Sequence, residues 1–306
     1  IAGLFSHGIG LPPILNLGSE SQKQRFVPDV LAGRKIAALA ISEPSGGSDV
    51  ANLRTSARLI KGGDGDHYVV NGSKMFITSG MRADVITVAV RTGGPGLGGV
   101  SLLVIDGDTP GLTRTPLKKM GWWCSDTAAL YFDECRVPAA NLLGEENMGF
   151  MYLMQNFQTE RLIAGASAIA GAFLMVEDAI AYGSERKAFG KPIIKREVWQ
   201  HRFVDLLTKL ESAKAYVYMT VDRYNEERYV KKTALSMETV KHISMVKILI
   251  GDVCSEVADT CLQFYGGWGY IEDYKIARAW RDQRLLRLGG GTTETMKYYV
   301  AKLLGL

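Results

Sequence analysis

Cysteine is scarce in this chain of 306 residues: there are four, Cys124, Cys135, Cys254 and Cys261, with no CxxC spacing. That argues against a disulfide framework and a thiolate metal site, and suits a reducing compartment. Cys254 and Cys261 stand at i, i+7 in a helical pattern, the spacing of core positions. No apolar run reads as long and clean enough to span a bilayer, so no membrane insertion is expected. The opening IAGLFSHGIGLPP lacks the basic region and the small-residue cleavage site of a signal peptide, and has no initiator Met. It reads as the middle of a structure that began earlier. Charge is not one-sided: the net value is +4, compatible with an anionic ligand and too small to point to nucleic acid. Internal repeats and low-complexity tracts are missing as well. What is present, 47% hydrophobic and 22% charged residues, is an ordinary globular composition long enough for two or three domains.

The local patterns divide the chain into three parts, an α+β arrangement. Residues 1–35 look helical: Pro12-Pro13 can start one helix, Ser19-Glu20 opens another, and Gly33 ends it. Residues 36–145 carry short β-rich runs, IAALAIS, HYVVNG, KMFITS, ADVITVAVRT, GVSLLVID and AALYFDECRVP, bounded by Gly, Pro, Asn and Asp. No helical pattern separates them, so an antiparallel sheet or small barrel is expected rather than βαβ units. Residues 146–306 return to helical periodicity at about 148–184, 195–228, 235–264, 274–286 and 293–303.

Several stretches could bind a ligand, each with a plainer alternative. Gly94, Gly96 and Gly99 satisfy GxGxxG, but a strand comes next where a dinucleotide site needs a helix, so a hairpin loop is the better reading. In Ser42-Glu43-Pro44-Ser45-Gly46-Gly47-Ser48-Asp49 the glycines let backbone N–H groups approach an anion and Ser48 adds a hydroxyl; a surface turn is the alternative. In Lys74–Gly80, Phe76 and Thr78 fall two apart on one strand face, as a stacked ring with one hydrogen-bonded nitrogen would require, or as ordinary strand packing would. Gln263-Phe264-Tyr265-Gly266-Gly267 ends a helix, with capping as the default role. Gly289-Gly290-Gly291-Thr292-Thr293-Glu294 precedes the last helix, which Thr292 or Thr293 can cap.

The stretch from Gly149 to Lys191 is expected to be one long helix and a basic elbow. After Glu160, small and apolar residues nearly encircle the helix, so it is expected to pack on several sides. A carboxylate at the mouth of such a region can be partly desolvated and tuned toward a base; a solvated carboxylate paired with an arginine is the alternative. Glu160 and Arg186 are 26 positions apart, roughly 39 Å on a continuous helix. If both serve ligand sites, either the helix breaks or each serves a different site in a symmetric oligomer.

The order of these motifs is more specific than any one of them. EPSGGSDV, NGSKMFITSG, ERLIAGA, ERKAFGKPI, QFYGGWGY and RDQRLLRLGGGTTE in succession resemble the acyl-CoA dehydrogenase family over nearly the whole chain. The resemblance implies FAD and a homotetramer, a dimer of dimers. It implies an N-terminal helical domain, of which 1–35 would be a remnant, a β domain at 36–145 and a four-helix domain at 146–306. Leu39, Ile41, Ser42, Gly47 and Ser48 then fall on the flavin-binding stretch, and Phe76 and Thr78 on flavin ring contacts. Arg186 and Phe189 match the elbow that reaches the neighbouring subunit's FAD, Gln263, Gly266 and Gly267 a second cross-subunit segment, and Thr292 and Glu294 the final FAD contacts. Many members carry a glutamate base where this chain has Gly290; the isovaleryl and long-chain branch places it on the long helix in a Glu-Arg-Leu context, matched here by Glu160-Arg161-Leu162. Glu197 stands where a glutamine is common after the elbow.

The activity that the resemblance implies is α,β-dehydrogenation of an acyl-CoA, Glu160 removing the α proton while the β hydrogen leaves as hydride to flavin N5. Ser48, Arg161, Gly290 and Gly291 fall on substrate-contacting positions, the backbone N–H of Gly290 facing the thioester oxygen. Electrons would pass to an electron-transfer flavoprotein. The expected compartment is cytoplasmic for a bacterial protein and the mitochondrial matrix for a eukaryotic one. The alternatives are an acyl-CoA oxidase using oxygen and a non-catalytic DNA-binding homologue of the fold.

Overall fold

A computed structural model describes residues 6–63 and 65–306. The chain forms two compact units, one ending at Phe157 and the other beginning at Gln158.

The first unit opens with helices α1 (Pro12–Leu17), with proline in its first turn, and α2 (Glu20–Leu31). A capping box starts α2: Ser19 Oγ accepts from Gln22 N at 3.3 Å and Gln22 Oε1 accepts from Ser19 N at 2.8 Å. The strands are β1 (Ala37–Ala40), β2 (Ser56–Ile60), β3 (His67–Thr78), β4 (Val85–Arg91), β5 (Val100–Asp106), β6 (Leu112–Pro116), β7 (Thr127–Pro138) and β8 (Leu142–Leu143). They make one sheet in the order β6-β7-β3-β2-β4-β5-β8, with β1 beside β4. Pairing is antiparallel except at β4, which runs parallel to β1 and meets β2 in a single parallel residue pair. The long excursion through β2 and β3 gives the chain room for that parallel return without a helix.

β4 and β5 read as continuous apolar runs because both their faces are buried. Ile86, Val88, Leu103 and Ile105 enter one core; Val85, Ala89, Leu102 and Val104 enter the other, beside Ile14, Phe26 and Val30 of the opening helices. The period-two alternation sorts the side chains between two apolar layers rather than between core and water. Gly94, Gly96 and Gly99 lie in the β4–β5 hairpin loop, as the strand after them required.

In the second unit, α3 (Gly149–Glu185, its first turns in the first unit), α4 (Glu197–Asn225), α5 (Met237–Tyr265), α6 (Lys275–Gln283) and α7 (Thr293–Leu304) form the helical part. Val176 of α3, Leu206, Leu210 and Val217 of α4, Ile250, Val257 and Phe264 of α5 and Ile276 of α6 share one core. The helix expected at 195–228 gives way at Glu226 to a π turn, Glu226–Val230. Cys254 and Cys261 are buried, and burial pushes their thiols up to about 12. Among the described residues no cluster of metal-ligating side chains occurs.

At Gly183 helix α3 lies close against the Phe264 ring of α5: a β-carbon there would stand 2.3 Å from Phe264 Cζ. Gly183→Ala should therefore force the ring aside and cost about 1–3 kcal/mol in urea unfolding; an unchanged midpoint would show that the helices are free to separate.

Two expectations about α3 need correction. Its most apolar 18-residue window has mean hydropathy 1.6, so by length and composition it is capable of crossing a membrane. Only 28% of that window is buried within the chain, so the helix does not pack on several sides here. Ile169, Ala172, Val176 and Ala179 face the core, whereas Ile163, Ala166, Ala170 and Leu174 form an exposed stripe. A helix beside two neighbours buries one stripe, and alanine and glycine on the far side raise hydropathy without requiring a partner.

Candidate active site

In the first unit the candidate turn at 42–49 is held by a buried ion pair. Lys74 Nζ, fully buried on β3, lies 2.9 Å from Glu43 Oε1 and donates to the Ile41 carbonyl at 3.0 Å. Glu43 also accepts from Arg54 N at 2.7 Å, Thr55 N at 2.8 Å and Thr55 Oγ1 at 2.6 Å. Burial raises the Glu43 carboxyl, but Lys74 and these donors outweigh it and hold the group below its ordinary value. Burial pulls the Lys74 ammonium down to about 8 against the attraction of Glu43. Both are charged at neutral pH. Met75 N donates to the Ser42 carbonyl at 2.8 Å, which sews the turn to β3. Gly47 and Ser48 are exposed on this frame, whereas the Leu39 and Ile41 side chains sit in the core, Leu39 pairs with Thr87 of β4 and the Ile41 carbonyl is held by Lys74.

Phe76 and Thr78 are not spaced by plain strand alternation. Lys74 pairs with Leu130 and Ile77 with Ala128, so Met75 and Phe76 together oppose one residue of β7, a β-bulge. Phe76 takes φ 65°, a left-handed backbone rare for an aromatic residue, and its ring is 68% exposed while Ile77 is buried. Strain of this kind persists where surrounding bonds over-determine it and concentrates at binding sites. Just beyond Thr78, Ser79 is also left-handed at φ 62°, and its buried hydroxyl has no partner among the described residues. Sequence pattern did not single out Ser79, since nothing in the order of residues announces a bulge.

In the second unit, α3 places Glu160, half-buried, beside Arg161, which is 7% exposed. Arg161 Nε donates to the Gly290 carbonyl at 2.9 Å. Burial draws the Arg161 guanidinium down and the Glu160 carboxylate opposes that. The loop it holds contains two left-handed glycines, Gly290 at φ 69° and Gly291 at φ 100°. A β-carbon on Gly291 would meet Met296 Cε at 2.7 Å. Gly291→Ala should thus cost about 1–3 kcal/mol in a denaturant titration, mostly through backbone strain, because the methionine tip can shift; a cost near zero would mean that the loop relaxes. Thr292 caps α7, its hydroxyl accepting from Thr295 N at 3.2 Å. Glu294 lies in the first turn, held below its ordinary value by its own backbone hydrogen bond and by Thr292. Thr293 Oγ1 is buried without a partner among the described residues.

The elbow forms a separate cleft in the same unit. Arg186, Ile193, Phe264, Gly266, Gly267 and Trp268 line an open space of about 540 Å³. Two segments far apart in sequence, the elbow and the end of α5, are thus brought together. Gly266 caps α5 at φ 61°, and among the described residues no atom outside the adjoining backbone lies within 4 Å of a β-carbon placed on Gly266 or Gly267. Gln263 is exposed one turn earlier. Phe189 is left-handed at φ 50° and 95% exposed, with the Arg196 guanidinium 5.0 Å from its ring centroid. Glu197 is exposed at the start of α4, 3.7 Å from His201. Because α3 is unbroken from Gly149 to Glu185, Glu160, in its first half, and this cleft, at its C-terminal end, are well separated along it.

Residues 147–305 match the acyl-CoA dehydrogenase C-terminal domain and residues 38–135 the acyl-CoA dehydrogenase middle domain. The chain is 37% identical to the mitochondrial long-chain specific acyl-CoA dehydrogenase of Sus scrofa over 96% of its own length and 66% of that enzyme's. The solved acyl-CoA dehydrogenase of Geobacillus kaustophilus superposes with TM-score 0.90 at 38% identity, covering 99% of this chain and 77% of that one. An acyl-CoA dehydrogenase of Bacillus anthracis complexed with FAD gives TM-score 0.89 at 31% identity, over 97% of this chain and 52% of that one. With two domain matches in order and a shared sheet and helical unit, the chain belongs to the acyl-CoA dehydrogenase family.

Proposed function

We propose that this protein catalyses FAD-dependent α,β-dehydrogenation of an acyl-CoA thioester to the trans-2-enoyl product. The observation that carries the reading is the bond from Arg161 to the Gly290 carbonyl, which brings the loop to the residue next to Glu160. The chain fits FAD on its own features. In the second unit Gly266 and Gly267 leave open space for a ligand and Thr293 offers a buried hydroxyl with no partner among the described residues; in the first, Phe76 presents an exposed ring on a β-bulge. When bound, FAD supplies the acceptor for the electron pair and hydrogen that leave the β carbon.

The chain's residues handle the proton and the developing charge. Glu160 takes the α proton as general base. As it does so, negative charge grows on the thioester oxygen, and the Gly290 N–H is the donor aimed at it; such donors lower the barrier by about 3 kcal/mol each. Glycine at 290 keeps the donor while giving up a side chain, so base and donor come from different elements. In the second unit Arg161 and Gly291 are the residues assigned to the thioester, and Ser48 is the one assigned in the first. The unbroken α3 supports a symmetric oligomer in which Arg186, Phe189, Gln263, Gly266 and Gly267 serve a neighbour's FAD, and an electron-transfer flavoprotein reoxidises the cofactor. The FAD-loaded protein, mixed anaerobically with a panel of acyl-CoAs, is expected to lose its flavin absorbance with at least one chain type. Persistent absorbance with every thioester would defeat the proposal; rapid oxygen uptake after bleaching would turn it toward an oxidase.

A further inference from the structure

A buried lysine stands behind the glycine loop and has no part in the reaction as written. Lys247 of α5 is 3% exposed, and its Nζ donates to the Leu286 carbonyl, in the 3-10 turn Arg284–Arg287 that leads into the loop Arg161 holds at Gly290. Its Cε lies 3.6 Å from the place a β-carbon of residue 290 would take. Leu286 and Gly290, four residues apart, are thus each fixed through the carbonyl by a buried cation from a different helix. A flexible triple-glycine segment loses much conformational freedom when ordered, and two anchors reduce what the substrate must still order. A neutral donor could make the same bond to Leu286. Burying an ammonium instead carries a desolvation penalty, and here its electrostatic neighbour is another cation, Arg161, which adds to burial in drawing it down to about 8. Such a charge is an expensive way to hold a loop, but it acts favourably on negative charge that appears nearby.

We propose that Lys247 is a positioning residue of this site: it ties the glycine loop to α5 and places a buried positive charge behind Gly290, so that an anionic form of the bound thioester is favoured over the neutral one. This rests on the acyl-CoA reading above. Lys247 acts through the loop and through its field, without touching the substrate.

The test uses the FAD-loaded protein and acetoacetyl-CoA, a thioester whose enolate is anionic and distinguishable by its ultraviolet absorbance. The enolate-to-keto ratio of the bound probe is measured against pH in the wild type, Lys247→Met and Lys247→Arg. The methionine variant is expected to lower the ratio at least about tenfold at a given pH, as loss of a nearby poorly screened charge demands. The arginine variant should keep it within about threefold. Lys247→Gln, a neutral donor, answers the same question should the methionine variant not fold. A lysine that only supports the fold would change melting temperature and the affinity for both forms together; an unchanged ratio in a folded neutral variant therefore overturns the role. A wild type that holds FAD but binds neither form of the probe defeats the acyl-CoA reading itself, and the role of Lys247 with it, so the two failures are distinguishable.

Discussion

Glu160→Gln is expected to retain FAD and fold while slowing the reduction of bound flavin by acyl-CoA by about 10²–10⁴-fold, the range that a positioned general base contributes. The amide keeps the size and hydrogen-bonding outline of the carboxylate but cannot accept the α proton. Because Glu160 is half-buried at the surface of α3, the substitution leaves the core untouched. Gly290 offers no proton acceptor, and neither Arg161 nor Lys247 takes a proton at neutral pH. Stopped-flow absorbance with saturating acyl-CoA, wild type against variant, reads the effect directly. Equal rates would remove Glu160 from the chemistry. A loss of FAD or a large fall in melting temperature would make it a structural residue instead.

Lys74→Met should be among the most damaging single changes in the first unit, lowering unfolding free energy by about 3–5 kcal/mol, the cost of stranding one partner of a buried ion pair. Glu43 would remain 5% exposed with its charge uncompensated. Glu43→Leu should cost at least as much, because it also strands the N–H groups of Arg54 and Thr55. The double variant should cost less than the two single changes added together, since each alone leaves an uncompensated charge. Guanidinium titration of the four proteins gives the coupling energy. The same pair sets the turn at 42–49 and the bulge at Phe76 in one frame, so the single variants are also expected to lose FAD on gel filtration. Single costs below about 1 kcal/mol, or full additivity, would show that the pair is not what holds this region.

Much of the chain is legible in the order of its residues. The β-rich runs and the helical periods are local signals, and the caps at Ser19, Thr292 and Gly266 act through neighbours three or four residues away, so they are written in the sequence. The hairpin reading of Gly94, Gly96 and Gly99 came from the strand after them. The candidate base was legible only through the resemblance, which Glu160-Arg161-Leu162 and the bare Gly290 carry; the residues alone left a solvated carboxylate as the alternative. Three features were not. The bulge that turns Phe76 outward depends on the register against β7, a partner some fifty residues away, which pattern alone does not specify. The exposed stripe on α3 depends on which neighbours cover the helix, and hydropathy counts residues rather than contacts. The cations at Lys74 and Lys247 look like ordinary surface lysines in sequence, and only burial among carbonyls and carboxylates gives them a role. Sequence by itself determined the order of elements and the type of each, because those rest on propensity and local hydrogen bonds. Tertiary structure decided which polar groups leave water, because desolvation is a property of everything that packs around a side chain.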